Sequence, residues 1–238
     1  METAILMAAG LGSRMRPLTE HTPKPLIPVA GETMIETVIR GLRRRGIKEI
    51  YVVTGYLKEK FAFLPDKYPG LTIIENPDYD TKNNISSVFA ACDVLGSSDT
   101  FICEADLYLS DPDLFLDTPE HSGYFGKMVP GHSDDWVFDV DEEGIITRVG
   151  KGGDDCYNMV GISYFRQEDA VILRDAVRAA CRETGHEQLF WDEVVDRNLD
   201  KLKLKIHPVK ADQITEIDTC EELKAVAAGI AAGVLSTP

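Results

Sequence analysis

A chain of 238 residues is long for one ordinary domain and short for two, and it can bury a core without staples. Its formal net charge of -15 disfavours a general nucleic-acid-binding surface, and no segment reaches the roughly 20 apolar residues of a membrane span. The five cysteines form no C-x-x-C pair, and the N-terminus lacks the basic start of a signal peptide. We therefore expect a cytoplasmic protein without membrane insertion or nucleic-acid partners.

Strand and helix patterns alternate in the first half of the chain. Short runs rich in apolar and β-branched residues predict strands over 3–8, 49–54, 71–75 and 100–103. Apolar residues at helical spacing predict helices over 33–45, which Gly46 stops, and over 86–95. This βαβ pattern is typical of an α/β fold with a mainly parallel sheet covered by helices.

The second half of the chain changes character. We predict shorter, partly antiparallel strands over 122–129, 135–140, 144–149 and 157–165. Helices near 167–183 and 187–198, a strand over 202–208 and a closing helix from about 219 follow. No flexible linker interrupts the chain, so we predict one domain, 1–238, with halves 1–110 and 111–238.

A glycine loop follows the first predicted strand directly. Its small residues let backbone N–H groups approach an anion, and they comprise Ala8, Ala9, Gly10, Gly12 and Ser13. Arg14 adds a forked donor suited to phosphate, and Lys24 lies on a stiff segment between two prolines. The string matches neither the P-loop nor the dinucleotide fingerprint. A phosphate site in an otherwise acidic chain is the interpretation that uses all of these residues.

The string from Leu6 to Thr19, with Pro23-Lys24-Pro25-Leu26, resembles the signature of sugar-phosphate nucleotidyltransferases. Along nearly its whole length the chain is most similar to the bacterial choline-phosphate cytidylyltransferases of that superfamily. The other motifs that carry this similarity are Thr54-Gly55-Tyr56, Asn83–Ser87, Glu104-Ala105-Asp106, Asp135-Trp136, Phe190-Trp191-Asp192 and Glu216-Ile217-Asp218. The resemblance implies a Rossmann-like nucleotidyltransferase fold, in which 1–110 binds the nucleotide and 111–238 holds the acceptor and the closing helices.

The resemblance also implies catalytic residues and a metal site. Lys24, Arg14 and Asp106 are expected to act in catalysis, and Asp106 and Asp218 to hold Mg²⁺. The acceptor's phosphate oxygen would displace pyrophosphate directly at the α-phosphorus, without a covalent enzyme intermediate. A plain turn or helix-cap role is the alternative for each aspartate, and Glu104 is expected only to support Asp106.

Nucleotide recognition is expected at two further places. Gly55-Tyr56 ends a strand and Asn83-Asn84 precedes a helix, so amide and backbone groups there could read the edge of a pyrimidine. With Ser86, these residues join the glycine loop, Arg14 and Lys24 as the expected CTP site. A helix cap by Asn84 or Ser86 is the alternative.

An aromatic set supplies the expected acceptor site. A quaternary ammonium has no N–H to donate and is held by aromatic faces and nearby negative charge. Trp136, Phe190, Trp191 and Asp192 could form such a box, and Lys151 is a candidate for the acceptor phosphate. Core packing is the alternative for the two aromatic residues at 190 and 191, and a hairpin position for Lys151.

The leading hypothesis is therefore an enzyme that makes CDP-choline and pyrophosphate from CTP and phosphocholine. The same chemistry with 2-aminoethylphosphonate or phosphoethanolamine is a close alternative, because a primary ammonium favours extra carboxylates. Candidates for these are Asp134, Asp135, Asp192 and Glu193. A sugar-1-phosphate nucleotidyltransferase and a non-catalytic nucleotide-sensing subunit are the remaining alternatives.

Overall fold

The computed structural model describes residues 2–235 of the chain. The strands are β1 (Glu2–Ala8), β2 (Pro28–Val29), β3 (Glu32–Thr33), β4 (Glu49–Thr54), β5 (Leu71–Glu75), β6 (Asp99–Glu104), β7 (Leu107–Leu109), β8 (Gly123–Val140), β9 (Ile146–Phe165), β10 (Lys205–Pro208) and β11 (Ile214–Glu216). The helices are α1 (Met34–Arg45), α2 (Leu64–Lys67), α3 (Ile85–Ala90), α4 (Gln167–Ala180), α5 (Trp191–Asp196) and α6 (Cys220–Ala231). Short 3₁₀ turns connect several of them.

A mixed, mainly parallel sheet of seven strands forms the centre, in the order β10-β8-β9-β6-β1-β4-β5. β1 lies between β4 and β6 and is parallel to both, while β9 runs antiparallel to β6 and β8. The predicted α/β fold is confirmed. Because β1, β4 and β6 are parallel, the loops at their carboxyl ends lie at one edge of the sheet, where α/β proteins bind ligands.

The amphipathic pattern of α1 explains its position. Its apolar face carries Ile35, Val38, Ile39 and Leu42, which are all fully buried in a core cluster beneath the sheet. Gly46 ends the helix in the left-handed conformation, at φ 94°. The predicted span of this helix and its glycine stop are confirmed.

The four short strands predicted between residues 122 and 165 are joined in the structure into β8 and β9. These two strands pair with several register shifts, and Val137 pairs with both Gly150 and Asn158 of β9. Gly131 and Gly152, at φ 80° and 75°, allow the backbone to bend within them. The polar residues at these bends made the sequence pattern look like breaks between strands.

The segment predicted as a helix over 187–198 is shorter and interrupted. A 3₁₀ turn over His186–Gln188 precedes an extended Phe190, and α5 then begins at Trp191. The Glu193 carboxylate accepts a hydrogen bond from the Phe190 N–H at 2.8 Å, which fixes the start of the helix. Phe190 and Trp191 therefore lie on either side of a helix boundary.

The sequence patterns did not predict two short two-stranded sheets, and one of these sheets positions residues of the site. β11 pairs antiparallel with β7, with Glu216 opposite Leu107, and the Ile217 N–H donates to the Asp106 carbonyl at 3.2 Å. This pairing brings Asp218 next to Asp106. The other small sheet joins β2 and β3.

None of the helices formed by residues 2–235 has the length and apolar character to cross a bilayer. The expected cytoplasmic location stays a prediction.

Candidate active site

A cleft of about 990 Å³ opens at the carboxyl edge of the parallel strands. Its walls come from the glycine loop after β1, the end of β6, the β8–β9 pair, the segment before α5 and β11. The predicted site residues that line it are Ala8, Ala9, Gly10, Gly12, Ser13, Arg14, Lys24, Asn83, Asn84, Ser86, Asp106, Trp136, Lys151, Phe190, Asp192 and Asp218. Three predicted residues, Gly55, Tyr56 and Trp191, lie outside that lining.

Lys24 stands between the two predicted metal-binding aspartates. Its Nζ donates to Asp106 Oδ2 and to Asp218 Oδ1, each at 2.6 Å, and the Arg14 guanidinium reaches the same Asp218 oxygen at 2.6 Å. Lys24 is only 7% exposed, whereas Arg14 is largely in solvent. The structure therefore joins the cationic segment and the two aspartates in one cluster, as the sequence motifs implied.

The protonation of Lys24 is set by two opposing effects. Burial alone would lower its pKa, but the charges and hydrogen bonds of Asp106 and Asp218 outweigh burial and raise the pKa above its ordinary value. Lys24 is therefore a permanent cation at neutral pH, suited to stabilising phosphate charge rather than transferring a proton.

The glycine loop folds tightly around Lys24. Gly12 has φ +59°, and a Cβ there would lie 2.9 Å from Lys24 Cβ and 3.0 Å from Thr19 Cγ2. The Thr19 hydroxyl donates to the Gly12 carbonyl at 2.8 Å and holds this turn. A Cβ on Gly10 would meet nothing within 4 Å, so the backbone there borders open space in the cleft.

Helix α6 leaves the Asp218 side chain available to the cleft. Its cap is Thr219, which accepts from the Glu222 N–H, while the Glu222 carboxylate accepts from the N–H groups of Asp218 and Thr219. The cap role considered for Asp218 thus belongs to its neighbour.

Glu104 and Glu216 extend the carboxylate cluster beyond the predicted pair. Oxygens of Glu104, Asp106 and Glu216 all lie within 4.8 Å of one another. Burial, followed by the nearby Glu216 and Asp106 charges, holds the pKa of Glu104 well above its usual value. The sequence carries a signal for both residues, since each glutamate stands two positions before a site aspartate and alternate residues of extended chain share a face.

This cluster suits a divalent cation. Asp106 Oδ1 is buried and has no hydrogen-bond partner among residues 2–235, although Lys24 occupies the other oxygen. An unpaired buried carboxylate oxygen is costly, and hard oxygen ligands are what Mg²⁺ prefers. Asp106 and Asp218, with Glu104 and Glu216 beside them, are the residues that could hold the ion.

At the opposite end of the glycine loop, the expected base-reading residues are placed differently from the prediction. The Tyr56 hydroxyl turns away and donates to the Thr19 carbonyl at 2.9 Å. Gly55 packs against a neighbouring ring, because a Cβ there would lie 2.5 Å from Tyr79 Cγ. Tyr79, which sequence reasoning missed, lines the cleft instead.

Asn83 and Asn84 form hydrogen bonds that join the segment before α3 to the segment before α5. The Asn83 N–H donates to the Glu187 carbonyl at 2.8 Å, and Asn84 Oδ1 accepts from the Trp191 N–H at 3.0 Å. Asn84 precedes α3 but makes no side-chain cap hydrogen bond there. The Ser86 hydroxyl donates to the Asn83 carbonyl and steadies this junction.

At the acceptor end, only part of the expected aromatic box forms. The rings of Trp136 and Phe190 meet edge to face with centroids 5.3 Å apart, and both residues line the cleft. Trp191 is 3% exposed and stacks on Tyr124 at 5.8 Å, so its predicted acceptor role is corrected to core packing. The helix start at Trp191 turns this ring inward.

Asp192 is a buried carboxylate on the cleft wall. It is 2% exposed, accepts a hydrogen bond from the Tyr124 hydroxyl at 3.1 Å, and burial raises its pKa to about 7. Asp134 and Asp135 line the same end of the cleft. A cation with N–H donors would relieve the buried charge of Asp192.

The profile of the MobA-like NTP transferase domain matches residues 4–189. The chain belongs to the MobA-like NTP transferase family.

Near full-length relatives of this NTP transferase are cytidylyltransferases. It is 55% identical to a 2-aminoethylphosphonate cytidylyltransferase of Lancefieldella rimae, over 93% of this chain and 90% of the relative. It is 31% identical to a choline-phosphate cytidylyltransferase of Haemophilus influenzae, over 92% and 93%. The solved CTP:phosphocholine cytidylyltransferase of Streptococcus pneumoniae superposes with a TM-score of 0.88 at 28% identity, over 95% of this chain and 98% of that one. The NTP transferase is thus an enzyme of the cytidylyltransferase type.

Proposed function

We propose that this NTP transferase transfers CMP from CTP to 2-aminoethylphosphonate and releases pyrophosphate. The observation that carries the proposal is the buried Asp192 carboxylate on the acceptor wall of a cleft whose other end holds the Lys24–Asp106–Asp218 cluster. A primary ammonium can donate N–H groups to such a carboxylate, whereas a trimethylammonium cannot. The 55% identical relative from Lancefieldella rimae supports the same acceptor.

The nucleotide end binds the triphosphate of CTP. Backbone N–H groups from Gly10 to Ser13 surround the phosphates, and Arg14 adds a cation from the solvent side. The buried Lys24 ammonium lines the cleft beside the glycine loop, and there it would stabilise the negative charge that increases in the transition state. Asn83, Asn84 and Tyr79 border the pyrimidine.

Asp106 and Asp218 would hold Mg²⁺, and the ion would supply positive charge that neutralises the triphosphate. Lys24 keeps these two aspartates together before the ion and the nucleotide arrive, because it pairs with both of them. Burial raises the pKa of both Glu104 and Glu216, so a cation bound beside Asp106 would favour their ionised forms and gain their negative charge.

The reaction is a direct displacement. A phosphonate oxygen forms a bond to the α-phosphorus of CTP while the bond from that phosphorus to the bridging β-phosphate oxygen breaks, and pyrophosphate leaves with the electron pair. No proton transfer is needed when the attacking phosphonate oxygen is already ionised. Catalysis then rests on positioning and on charge stabilisation by Lys24 and Arg14.

Phosphocholine, the acceptor expected first from the sequence, is the second candidate. The choline-phosphate cytidylyltransferases of Haemophilus influenzae and Streptococcus pneumoniae, which match this chain at about 30% identity over nearly their full length, favour it. The cluster at Lys24 serves either acceptor equally, so the distinction lies at Trp136, Phe190 and Asp192.

The test is pyrophosphate release by the purified enzyme with each of the four ribonucleoside triphosphates. The acceptors are 2-aminoethylphosphonate, phosphoethanolamine, phosphocholine and a sugar 1-phosphate, all with Mg²⁺. We expect the highest kcat/KM with CTP and 2-aminoethylphosphonate. A higher kcat/KM with phosphocholine would overturn the proposed acceptor, and selective use of a sugar phosphate would overturn the whole acceptor class.

A further inference from the structure

The Lys151 side chain lies against the aromatic pair of the acceptor end, Trp136 and Phe190. Its Nζ is 5.7 Å from the centroid of the Trp136 ring and 5.3 Å from that of Phe190. Both distances fall within the range of a cation–π interaction. The aromatic pair that sequence analysis assigned to a substrate ammonium is therefore already in contact with an ammonium of the protein itself.

The backbone accounts for this placement. Lys151 and Trp136 are opposite each other in the β8–β9 pairing, so their side chains share one face of the sheet. Phe190 comes from the other side, from the extended residue that precedes α5. Within residues 2–235 the Lys151 ammonium forms no ion pair; the residue is exposed, and its Nζ lies over the two rings.

We propose that Lys151 is a specificity-determining residue. Its ammonium occupies the faces of the aromatic pair, and the enzyme therefore prefers acceptors with a primary ammonium to those with a quaternary one. This inference rests on the proposed function and names the residue responsible for its acceptor preference. A quaternary ammonium depends on aromatic faces, because it has no N–H to donate. Two cations on one pair of rings repel each other, so a trimethylammonium must displace Lys151.

A primary ammonium does not face this competition. It binds through N–H donors, and two carboxylates that line the cleft are near the ring residues in the sequence, Asp135 directly before Trp136 and Asp192 two residues after Phe190. The same Lys151 charge also attracts the phosphonate of the acceptor.

The experiment compares matched acceptors that differ only in three N-methyl groups. These are 2-aminoethylphosphonate and its N,N,N-trimethyl derivative, and, as a second pair, phosphoethanolamine and phosphocholine. For each pair the ratio of kcat/KM, primary over quaternary, is measured for the wild-type enzyme, Lys151→Met and Lys151→Arg. Any lost contact with the acceptor's anion lowers both members of a pair and leaves the ratio unchanged.

We expect the ratio to fall by about 3- to 5-fold in Lys151→Met, the size of effect that a cation–π contact of an exposed lysine supports. The charge-conserving Lys151→Arg is expected to keep the wild-type ratio. A Lys151→Met ratio within about twofold of wild type, or an equal fall in Lys151→Arg, would overturn the role of Lys151. A wild-type enzyme that does not use 2-aminoethylphosphonate would instead contradict the proposed function, while the second pair still tests Lys151.

Discussion

Replacing Lys24 by methionine removes the ammonium that pairs with both Asp106 and Asp218, while keeping the apolar stem of the side chain. The two carboxylate oxygens are no more than about 5 Å apart, since each is 2.6 Å from Nζ. At that separation two unit charges repel by about 3 kcal/mol at the effective dielectric constant of a protein surface. Breaking a buried ion pair from one side costs a similar amount, about 3–5 kcal/mol.

For activity, the loss of one group that stabilises transition-state charge costs roughly 100- to 1,000-fold in kcat. We therefore expect Lys24→Met to melt at a lower temperature than the wild type and to regain part of this thermal stability when Mg²⁺ binds the freed carboxylates. We also expect its kcat to fall by about 100-fold or more. Pyrophosphate release at saturating CTP and acceptor measures kcat, and circular dichroism measures melting and folding.

The matched control is Lys58→Met, because Lys58 pairs with Glu75 on the surface and both side chains are about half exposed. Its kcat is expected to stay within about twofold of wild type, as for an ordinary surface pair. A folded Lys24→Met enzyme with near-wild-type kcat would refute the assignment of Lys24 to the reaction.

Three further predictions concern the walls of the cleft. Burial raises the pKa of Asp192 to about 7, so the ionised fraction of its carboxylate increases from pH 6 to pH 8. KM for 2-aminoethylphosphonate, measured from initial rates, should therefore fall over this range, and by more in the wild type than in Asp192→Asn. Trp191→Ala should lower the free energy of unfolding, measured by urea titration, by about 3–5 kcal/mol, because the ring is buried in the core. Unchanged stability together with weaker acceptor binding would instead place Trp191 in the acceptor site. Gly55→Ala places a Cβ 2.5 Å from Tyr79 Cγ, and the ring must move. We therefore expect a loss of about 1–3 kcal/mol in stability and a higher KM for CTP. An unchanged KM for CTP would exclude Tyr79 from the nucleotide site.

The elements that sequence predicts well are those whose pattern is local. Short-range periodicity predicts strand β1, after which the glycine loop starts, and helix α1. The end of α1 follows from Gly46, because glycine readily adopts the left-handed conformation. The meeting of Lys24 with Asp106 and Asp218 was implied by family resemblance, but its physical cause is the short β7–β11 pairing. Three-residue strands carry too little periodicity to be predicted.

The direction of individual side chains also could not be predicted from the sequence. Phe190 and Trp191 are adjacent and similar in chemistry, and only the start of α5 between them decides which ring faces the cleft. Likewise Tyr56 continues the strand-end motif, yet its hydroxyl binds the Thr19 carbonyl, and Tyr79 faces the cleft. Both outcomes depend on tertiary packing, which no short sequence window contains.

The most direct test of the account is ³¹P NMR of the purified enzyme with CTP, 2-aminoethylphosphonate and Mg²⁺. We predict that the free phosphonate signal is replaced by a coupled phosphonate–phosphate anhydride signal while pyrophosphate appears in equal amount. CTP that stays intact under these conditions, or that is hydrolysed without a new anhydride signal, would contradict the account.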